Sequence, residues 1–154
     1  DFDKLSFNYA YLAIIKHLWE LSFQGDGQFA TNALPGSERY SIGGAQYGRA
    51  YDPSEITGDH GLAGRLEMAY RLSNTTRHWH FSPYGFYDLG AVWQIHSQAV
   101  GGRASLASCG LGVRVAGAGF STYLELDKPL TRAVASQGND GKKERLFAGI
   151  AYEF

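Results

Sequence analysis

The stretch Arg65–Leu72 reads Arg-Leu-Glu-Met-Ala-Tyr-Arg-Leu, and its even-numbered positions are all apolar. Its odd-numbered positions carry Arg, Glu, Ala and Arg. A period of two places these two sets of side chains on opposite faces of a β-strand. The stretch therefore predicts a strand with one apolar face and one charged face.

The same alternation recurs along the chain of 154 residues and predicts seven long strands. It is clearest in Trp19–Gln28, Phe120–Asp127 and Leu146–Phe154. We expect strands at residues 4–13, 17–30, 62–73, 79–95, 104–116, 118–128 and 144–154. Residues Ala13–His17 also fit a turn or a short helix. The 20 Gly, 10 Tyr and 9 Phe against a single Met favour strands over helices.

Strands of this kind admit two folds, a soluble β-sandwich or barrel and an antiparallel transmembrane β-barrel. In the first the apolar face forms a dry core, and in the second it faces lipid while the polar face lines a lumen. The predicted strands have about the ~9–11 residues that a tilted spanning strand needs. Their polar faces carry full charges, and aromatic residues crowd their ends. These features favour the all-β transmembrane barrel.

An open sheet cannot stand in lipid, because its unpaired edge groups have no water to bond and each costs several kcal/mol. Bacterial single-chain barrels have an even number of strands, at least eight. Seven strands therefore predict that residues 1–154 are the C-terminal part of a larger barrel. The alternative is closure with another chain.

A connection of about 30 residues, Thr31–Gly61, separates the second and third predicted strands, and loops this long are usually functional. It contains Gly48-Arg49-Ala50-Tyr51, and a later strand contains Phe86-Tyr87-Asp88-Leu89-Gly90. The two elements resemble the Val-Arg-Gly-Tyr/Phe loop tip and the Phe-x-Asp-x-Gly strand of the TpsB transporters of two-partner secretion. Gly48 stands where that family has Val, and Ala50 where it has Gly.

The resemblance implies a bacterial outer-membrane barrel of sixteen strands, of which this chain supplies the last seven, with the loop folded into the pore. It implies that Arg49 pairs with Asp88 and locks the loop, with Phe86, Gly90 and Tyr51 beside them and Gly90 leaving room for the loop backbone. The loop motif comprises Gly43, Gly44, Gly48, Asp52, Gly58, Asp59 and Gly61. The lumen-facing charges are Arg65, Glu67, Arg71 and Glu125. The terminal Tyr152 and Phe154 resemble the signal read by the barrel-insertion machinery.

The implied function is export of a large partner exoprotein, an adhesin or a cytolysin, through the outer membrane. The implied partners are this exoprotein, outer-membrane lipid and, during biogenesis, the insertion machinery. Two alternatives remain open, an assembly and insertion factor of the same superfamily and a passive structural barrel. A formal net charge of -1 predicts no nucleic-acid partner.

No enzyme activity, metal or other cofactor is expected. His80 and Ser82 share a face but lie ~6–7 Å apart along a strand, too far for a direct hydrogen bond. His78 and His80 alternate on one face without a carboxylate cluster nearby in sequence. The loop acids Asp52, Glu55 and Asp59 lack the spacing of a calcium-binding loop.

Overall fold

A computed structural model of the protein describes residues 2–74, 79–95 and 102–153. Within these ranges the chain forms strands and two short 3-10 turns, Gly36–Glu38 and Ala135–Asp140. The strands are β1 (Lys4–Ile15), β2 (Trp19–Ala30), β3 (Tyr40–Ile42), β4 (Ile56–Gly58), β5 (His60–Tyr70), β6 (Leu72–Asn74), β7 (Trp79–Trp93), β8 (Arg103–Gly117), β9 (Phe120–Pro129) and β10 (Arg145–Tyr152). No helix in the described residues is long and apolar enough to cross a membrane.

The seven long strands form one antiparallel meander in the order β1-β2-β5-β7-β8-β9-β10, with β6 pairing β7 beyond the end of β5. The predicted antiparallel fold is confirmed. Two details differ from the prediction. The third strand is interrupted at Arg71, whose backbone N–H donates to the carbonyl of Leu18. The Ala13–His17 region is a strand followed by a tight turn, because Lys16 and His17 adopt positive φ.

One face of this sheet is apolar and exposed along its whole width. Its exposed large side chains include Leu5, Phe7, Tyr9, Tyr11, Phe23, Leu62, Leu66, Met68, Tyr87, Leu89, Leu111, Leu124, Leu126, Leu146 and Ile150. A soluble protein rarely exposes a contiguous apolar surface of this size. We call this the lipid face, because most charged side chains of the same strands, among them Arg65, Glu67, Asp88 and Glu125, point to the opposite side. The soluble sandwich is thereby excluded.

Aromatic side chains gather near both ends of the lipid face. At the edge with the short turns, Trp19 packs on Tyr70 with ring centroids 4.7 Å apart, and Phe120 packs on Tyr152 at 4.4 Å. Near the other edge Phe29 stacks with Phe7 at 6.2 Å. Aromatic girdles of this kind mark the two membrane–water interfaces of barrels.

The Thr31–Gly61 connection has more structure than the sequence predicts. It carries the β3–β4 hairpin, which packs against the inward side of β5, β7 and β8. A small core forms between this infolded loop and the wall, and it contains Ile42, Tyr51, Val92 and Leu106. Val134 of the β9–β10 loop, fully buried, completes it. The loop is therefore fixed to the inner face of the sheet, opposite the lipid face.

Candidate functional site: the infolded loop and its acceptors

The tip of the infolded loop docks by its backbone on Asp88. Gly48 has a φ of 76°, and the resulting turn points the N–H groups of Gly48 and Arg49 at one carboxylate oxygen, Asp88 Oδ2. The two N···O distances are 2.8 and 3.1 Å. Successive backbone N–H groups in such a turn form an anion-binding nest. Gly at this position is well suited, because a side chain at positive φ is strained.

The other hydrogen bonds to the Asp88 carboxylate come from Arg65 and not from the Arg49 side chain. Arg65 lies directly across from Asp88 in the β5–β7 register. Its Nε and Nη2 donate to Asp88 Oδ1 and Oδ2 at 2.6 and 2.9 Å, a bidentate pair. Asp88 is fully buried. The predicted guanidinium–carboxylate pair between Arg49 and Asp88 is therefore wrong, because a neighbouring strand already supplies that guanidinium.

The Arg49 guanidinium reaches two other carboxylates of the wall. Nη2 pairs with Glu67 Oε2 on β5 at 2.9 Å, and Nη1 pairs with Glu125 Oε2 on β9. Its carbon lies 3.8 Å from the centroid of the Phe86 ring. The side chains of Arg49, Glu67 and Glu125 are 11%, 12% and 4% exposed. One loop arginine thus joins two strands that are not neighbours in the sheet.

Both of these carboxylates are held in place by further side chains. Arg114 on β8 forms a bidentate pair with Glu67, at 2.6 and 3.0 Å. The Tyr84 hydroxyl donates to Glu125 Oε2 at 2.5 Å, and the Arg114 guanidinium stacks 3.7 Å above the Tyr84 ring. The acceptors of Arg49 are therefore oriented by other side chains of the wall, as in a preorganised site.

Tyr51 ties the loop to the β9–β10 connection. Its buried hydroxyl donates to the carbonyl of Ala107 at 3.0 Å and accepts the backbone N–H groups of Thr131 and Arg132 at 3.3 Å each. One hydroxyl thus forms hydrogen bonds with three backbone groups. The infolded loop and the β9–β10 connection are therefore attached to the wall at the same point. Ala50 beside it does not adopt positive φ, so the Ala in place of Gly is accommodated without strain.

Asp52, directly after the tip, and Asp59, near the C-terminal end of the loop, attach the loop to other segments. Asp52 accepts the N–H of Ser136 at 3.0 Å and pairs with Arg145 at 2.9 Å. Asp59, 2% exposed, accepts the N–H groups of Leu34 and Ile95 at 2.8 and 2.9 Å. Burial raises the pKa of Asp59, but these hydrogen bonds and the nearby Arg39 outweigh it and hold that pKa below its usual value. Both are thus structural anchors.

The remaining predicted glycines lie where the loop and the wall approach closely. A Cβ at Gly90 would lie 2.6 Å from Ile42 Cδ1, so Gly90 accommodates a loop side chain and not the loop backbone. A Cβ at Gly58 would lie 2.7 Å from the carbonyl oxygen of Trp93, and one at Gly61 would overlap the Tyr40 ring. Gly43 and Gly44 adopt positive φ at the start of the tip.

The other predicted residues lie further from the tip. Arg71 is half exposed and pairs with Glu20 near the short-turn edge, away from the loop. Tyr152 lies on the lipid face against Phe120, and Phe154 and His78 lie outside the described residues. Within the described part of the chain no cluster of three His, Cys, Asp or Glu side chains could hold a metal ion.

The sequence places several members of the site on the inward face but assigns them no partners. Tyr84 and Arg114 are two of them, since both share the inward parity of their strands. On β2, Asp26 accepts a hydrogen bond from Tyr40 and one from Gln46, the latter at 2.9 Å. Strand parity places all three wall residues on the inward face, but it cannot say which of them the loop contacts.

The fold resembles that of a solved structure across nearly all of the chain. CdiB from Acinetobacter baumannii aligns with a TM-score of 0.68 and 20% identity, covering 97% of this chain and 26% of CdiB. The chain thus spans about a quarter of the length of that structure. Comparison with curated protein sequences finds no match.

The amino-acid sequence of the chain also matches the model of a known protein family. The model described as haemolysin secretion/activation protein ShlB/FhaC/HecB matches residues 1–115, most of the chain. Proteins of this family are outer-membrane transporters of Gram-negative bacteria, so the lipid face lies in the outer membrane. The matched residues include β1–β7, the infolded loop and most of β8. The chain therefore belongs to the ShlB/FhaC/HecB family of haemolysin secretion/activation proteins.

Proposed function

We propose that the chain forms the C-terminal part of the wall of an outer-membrane pore that exports a large partner exoprotein, an adhesin or a cytolysin. The infolded loop lies on the polar side of this wall and controls how far the pore is open to the exported chain. The exported chain crosses unfolded, and its folding outside makes return unfavourable.

The observation that carries this proposal is the placement of Arg49 between Glu67 and Glu125. A loop arginine that is 11% exposed and paired with carboxylates of two separate strands fixes the loop against the wall. Breaking a buried pair by removing one partner costs about 3–5 kcal/mol, because it leaves uncompensated charge. The contact is thus strong enough to hold the loop, yet it consists of a few polar contacts that an arriving chain can replace.

The space around the tip supports a wet path. A cavity of about 480 Å³ lies between the loop and the wall. Its lining includes Gln24, Arg65, Arg114, Tyr123 and Arg145. Such a lining offers hydrogen-bonding groups to an extended polypeptide.

The test is secretion by the full-length transporter carrying Arg49→Ala, with its partner exoprotein co-expressed. We expect at least about tenfold less exoprotein in the medium, since ~1.4 kcal/mol already corresponds to a factor of ten, with normal barrel insertion on heat-modifiable gels. Arg71→Ala is the matched control, because it removes an inward arginine that does not touch the loop. Normal secretion by Arg49→Ala contradicts the proposal.

A further inference from the structure

The connection between β9 and β10 is a compact loop that is closed by its own hydrogen bonds. The N–H of Val134 donates to the carbonyl of Gly141 at 2.6 Å. The side chain of Gln137 accepts the N–H of Lys143 at 3.0 Å and donates to its carbonyl at 3.3 Å. We call residues 132–143 the clasp, because they bind the infolded loop at the edge of the sheet that carries both connections.

The clasp binds the infolded loop through the first residues of its 3-10 turn. The N–H of Ala135 donates to Glu55 Oε1 at 3.1 Å, and the N–H of Ser136 donates to Asp52 Oδ2 at 3.0 Å. The first N–H groups of a helical turn have no partner within it, so these two are available to the loop carboxylates. Arg145, the first residue of β10, adds an ion pair with Asp52 at 2.9 Å. The clasp and the start of β10 thus hold the same short segment of the loop.

Apolar packing joins the clasp to the same part of the loop. Val134 has none of its surface exposed, and it lies in one core with Ile42 and Tyr51, which are each 1% exposed. We call residues 40–42 and 50–58 the loop base. The base is therefore held by packing that excludes water, and a polar chain that enters the pore cannot replace such packing.

The loop tip, residues 43–49, is attached in a different way. Arg49 is bound to two carboxylates of the wall, and Gln46 donates to Asp26 Oδ2 of β2 at 2.9 Å. Tyr47 of the tip also reaches the core, where it is the most exposed of the buried members, at 7%. The tip is thus held mainly by polar contacts, and hydrogen bonds to water or to an exported chain can take their place.

Glycine marks the boundary between the tip and the base. Gly43 and Gly44 adopt φ of 125° and 90°. Their N–H groups donate to the carbonyls of Tyr47 and Gly48 at 3.0 and 3.3 Å, which closes the tip into a compact turn. A Cβ at Gly43 would overlap the carbonyl oxygen of Asp52, a residue that the clasp holds. Residues of this kind at the end of a segment can absorb the backbone rotation of a hinge.

We propose that the clasp keeps the loop base fixed to the wall and that the pore opens by a swing of the tip alone. The tip turns about Gly43 and Gly44 at one end and about Ala50 at the other, once Arg49 leaves its carboxylates. Withdrawal of the whole loop would also require the clasp to open and the core around Val134 to separate. This inference rests on the proposed function and identifies which part of the loop moves.

Hydrogen exchange of the full-length transporter in lipid tests this division of the loop without measuring transport. Arg49→Ala should speed exchange at least about tenfold in the tip and leave the base at wild-type protection. Val134→Ala should speed exchange in the base and the clasp. Val113→Ala, which alters a valine of β8 with the parity of the lipid face, should change neither. Equal acceleration of the tip and the base in Arg49→Ala overturns the proposal, as does an unchanged base in Val134→Ala.

Reversible cross-links show which part of the loop moves when the pore opens. Glu55→Cys with Ala135→Cys joins the base to the clasp, and Asp26→Cys with Gln46→Cys joins the tip to β2. Both pairs are made together with Cys109→Ala, which removes the free cysteine. Each pair is linked by a short bifunctional methanethiosulfonate. Pore opening in planar bilayers is compared before linking, after linking and after reduction of the same protein.

We expect the link between base and clasp to leave pore opening unchanged. The link between tip and β2 should reduce opening at least about tenfold until reductant is added. Closure by the base–clasp link that reductant reverses overturns this inference alone, because the base must then leave the clasp. Unhindered opening with the tip linked to β2 contradicts the proposed function as well, so the two failures are distinguishable.

Discussion

The lipid face and the inward face belong to the same strands, yet they are built on different rules. On the lipid face Leu66 and Met68 are about half exposed and make no polar contact, so any apolar side chain of similar size serves. On the inward face Arg65 and Glu67 alternate with them in sequence, and each has named partners at fixed distances. The first face specifies where the protein resides, and the second specifies what the loop can bind.

A charge on the lipid face gives the largest expected effect. Leu66→Arg places a guanidinium in hydrocarbon, which costs about 2–4 kcal/mol near the bilayer centre. We expect a correspondingly lower free energy of unfolding in urea titrations of the full-length transporter in vesicles. Leu66→Met is the control and should be close to neutral. Equal stability of the Arg and Met variants contradicts the assignment of this face to lipid.

The hydroxyl of Tyr51 offers the next largest effect, confined to the inward side. Tyr51→Phe keeps the buried ring but leaves the backbone N–H groups of Thr131 and Arg132 without their partner, at a cost of about 1–3 kcal/mol. We expect faster hydrogen exchange in both the loop tip and residues 131–136, since both lose the same attachment. Tyr123→Phe, on a half-exposed inward tyrosine of β9, is the control.

If Tyr51→Phe speeds hydrogen exchange in the loop tip alone, Tyr51 does not couple the infolded loop to the β9–β10 connection. The measurement therefore separates a shared attachment from two independent ones.

Two glycines, one on each face, provide a third test, with an expected effect no larger than that of Tyr51→Phe. A Cβ at Gly90, on the inward face, would lie 2.6 Å from Ile42 Cδ1, and overpacking of this kind costs about 1–3 kcal/mol. A Cβ at Gly64, on the lipid face, would meet its nearest neighbour at 3.4 Å, an ordinary contact. Gly90→Ala should therefore loosen the loop, measured by proteolysis between residues 43 and 55, and Gly64→Ala should not. Equal cleavage of the two variants contradicts this difference between the faces.

The two faces also differ in how much the sequence reveals. A period of two is a local property, so Arg65–Leu72 and its counterparts predict the long strands and the side to which each residue points. The interruption at Arg71 escaped prediction because the alternation continues through it. The β3–β4 hairpin escaped because each of its strands has only three residues.

The contacts of the loop are not local, and here prediction failed in part. The sequence marks Arg49 and Asp88 as important, and the structure brings them together, but through the backbone of Gly48 and Arg49. Which carboxylate receives the guanidinium depends on the depth of the tip and on the strand register. Arg65 lies opposite Asp88 in that register and occupies it. Parity alone leaves Glu67, Asp88 and Glu125 equivalent.

The central claim is that the Arg49 guanidinium holds the loop tip against the wall. Hydrogen exchange of residues 47–52 in the full-length transporter, reconstituted in lipid, tests it most directly. The wild type should protect the N–H groups of Gly48 and Arg49, which are buried against Asp88, and Arg49→Ala should exchange there at least about tenfold faster while β7 and β8 remain protected. Equal protection of this segment in the wild type and Arg49→Ala would contradict the account.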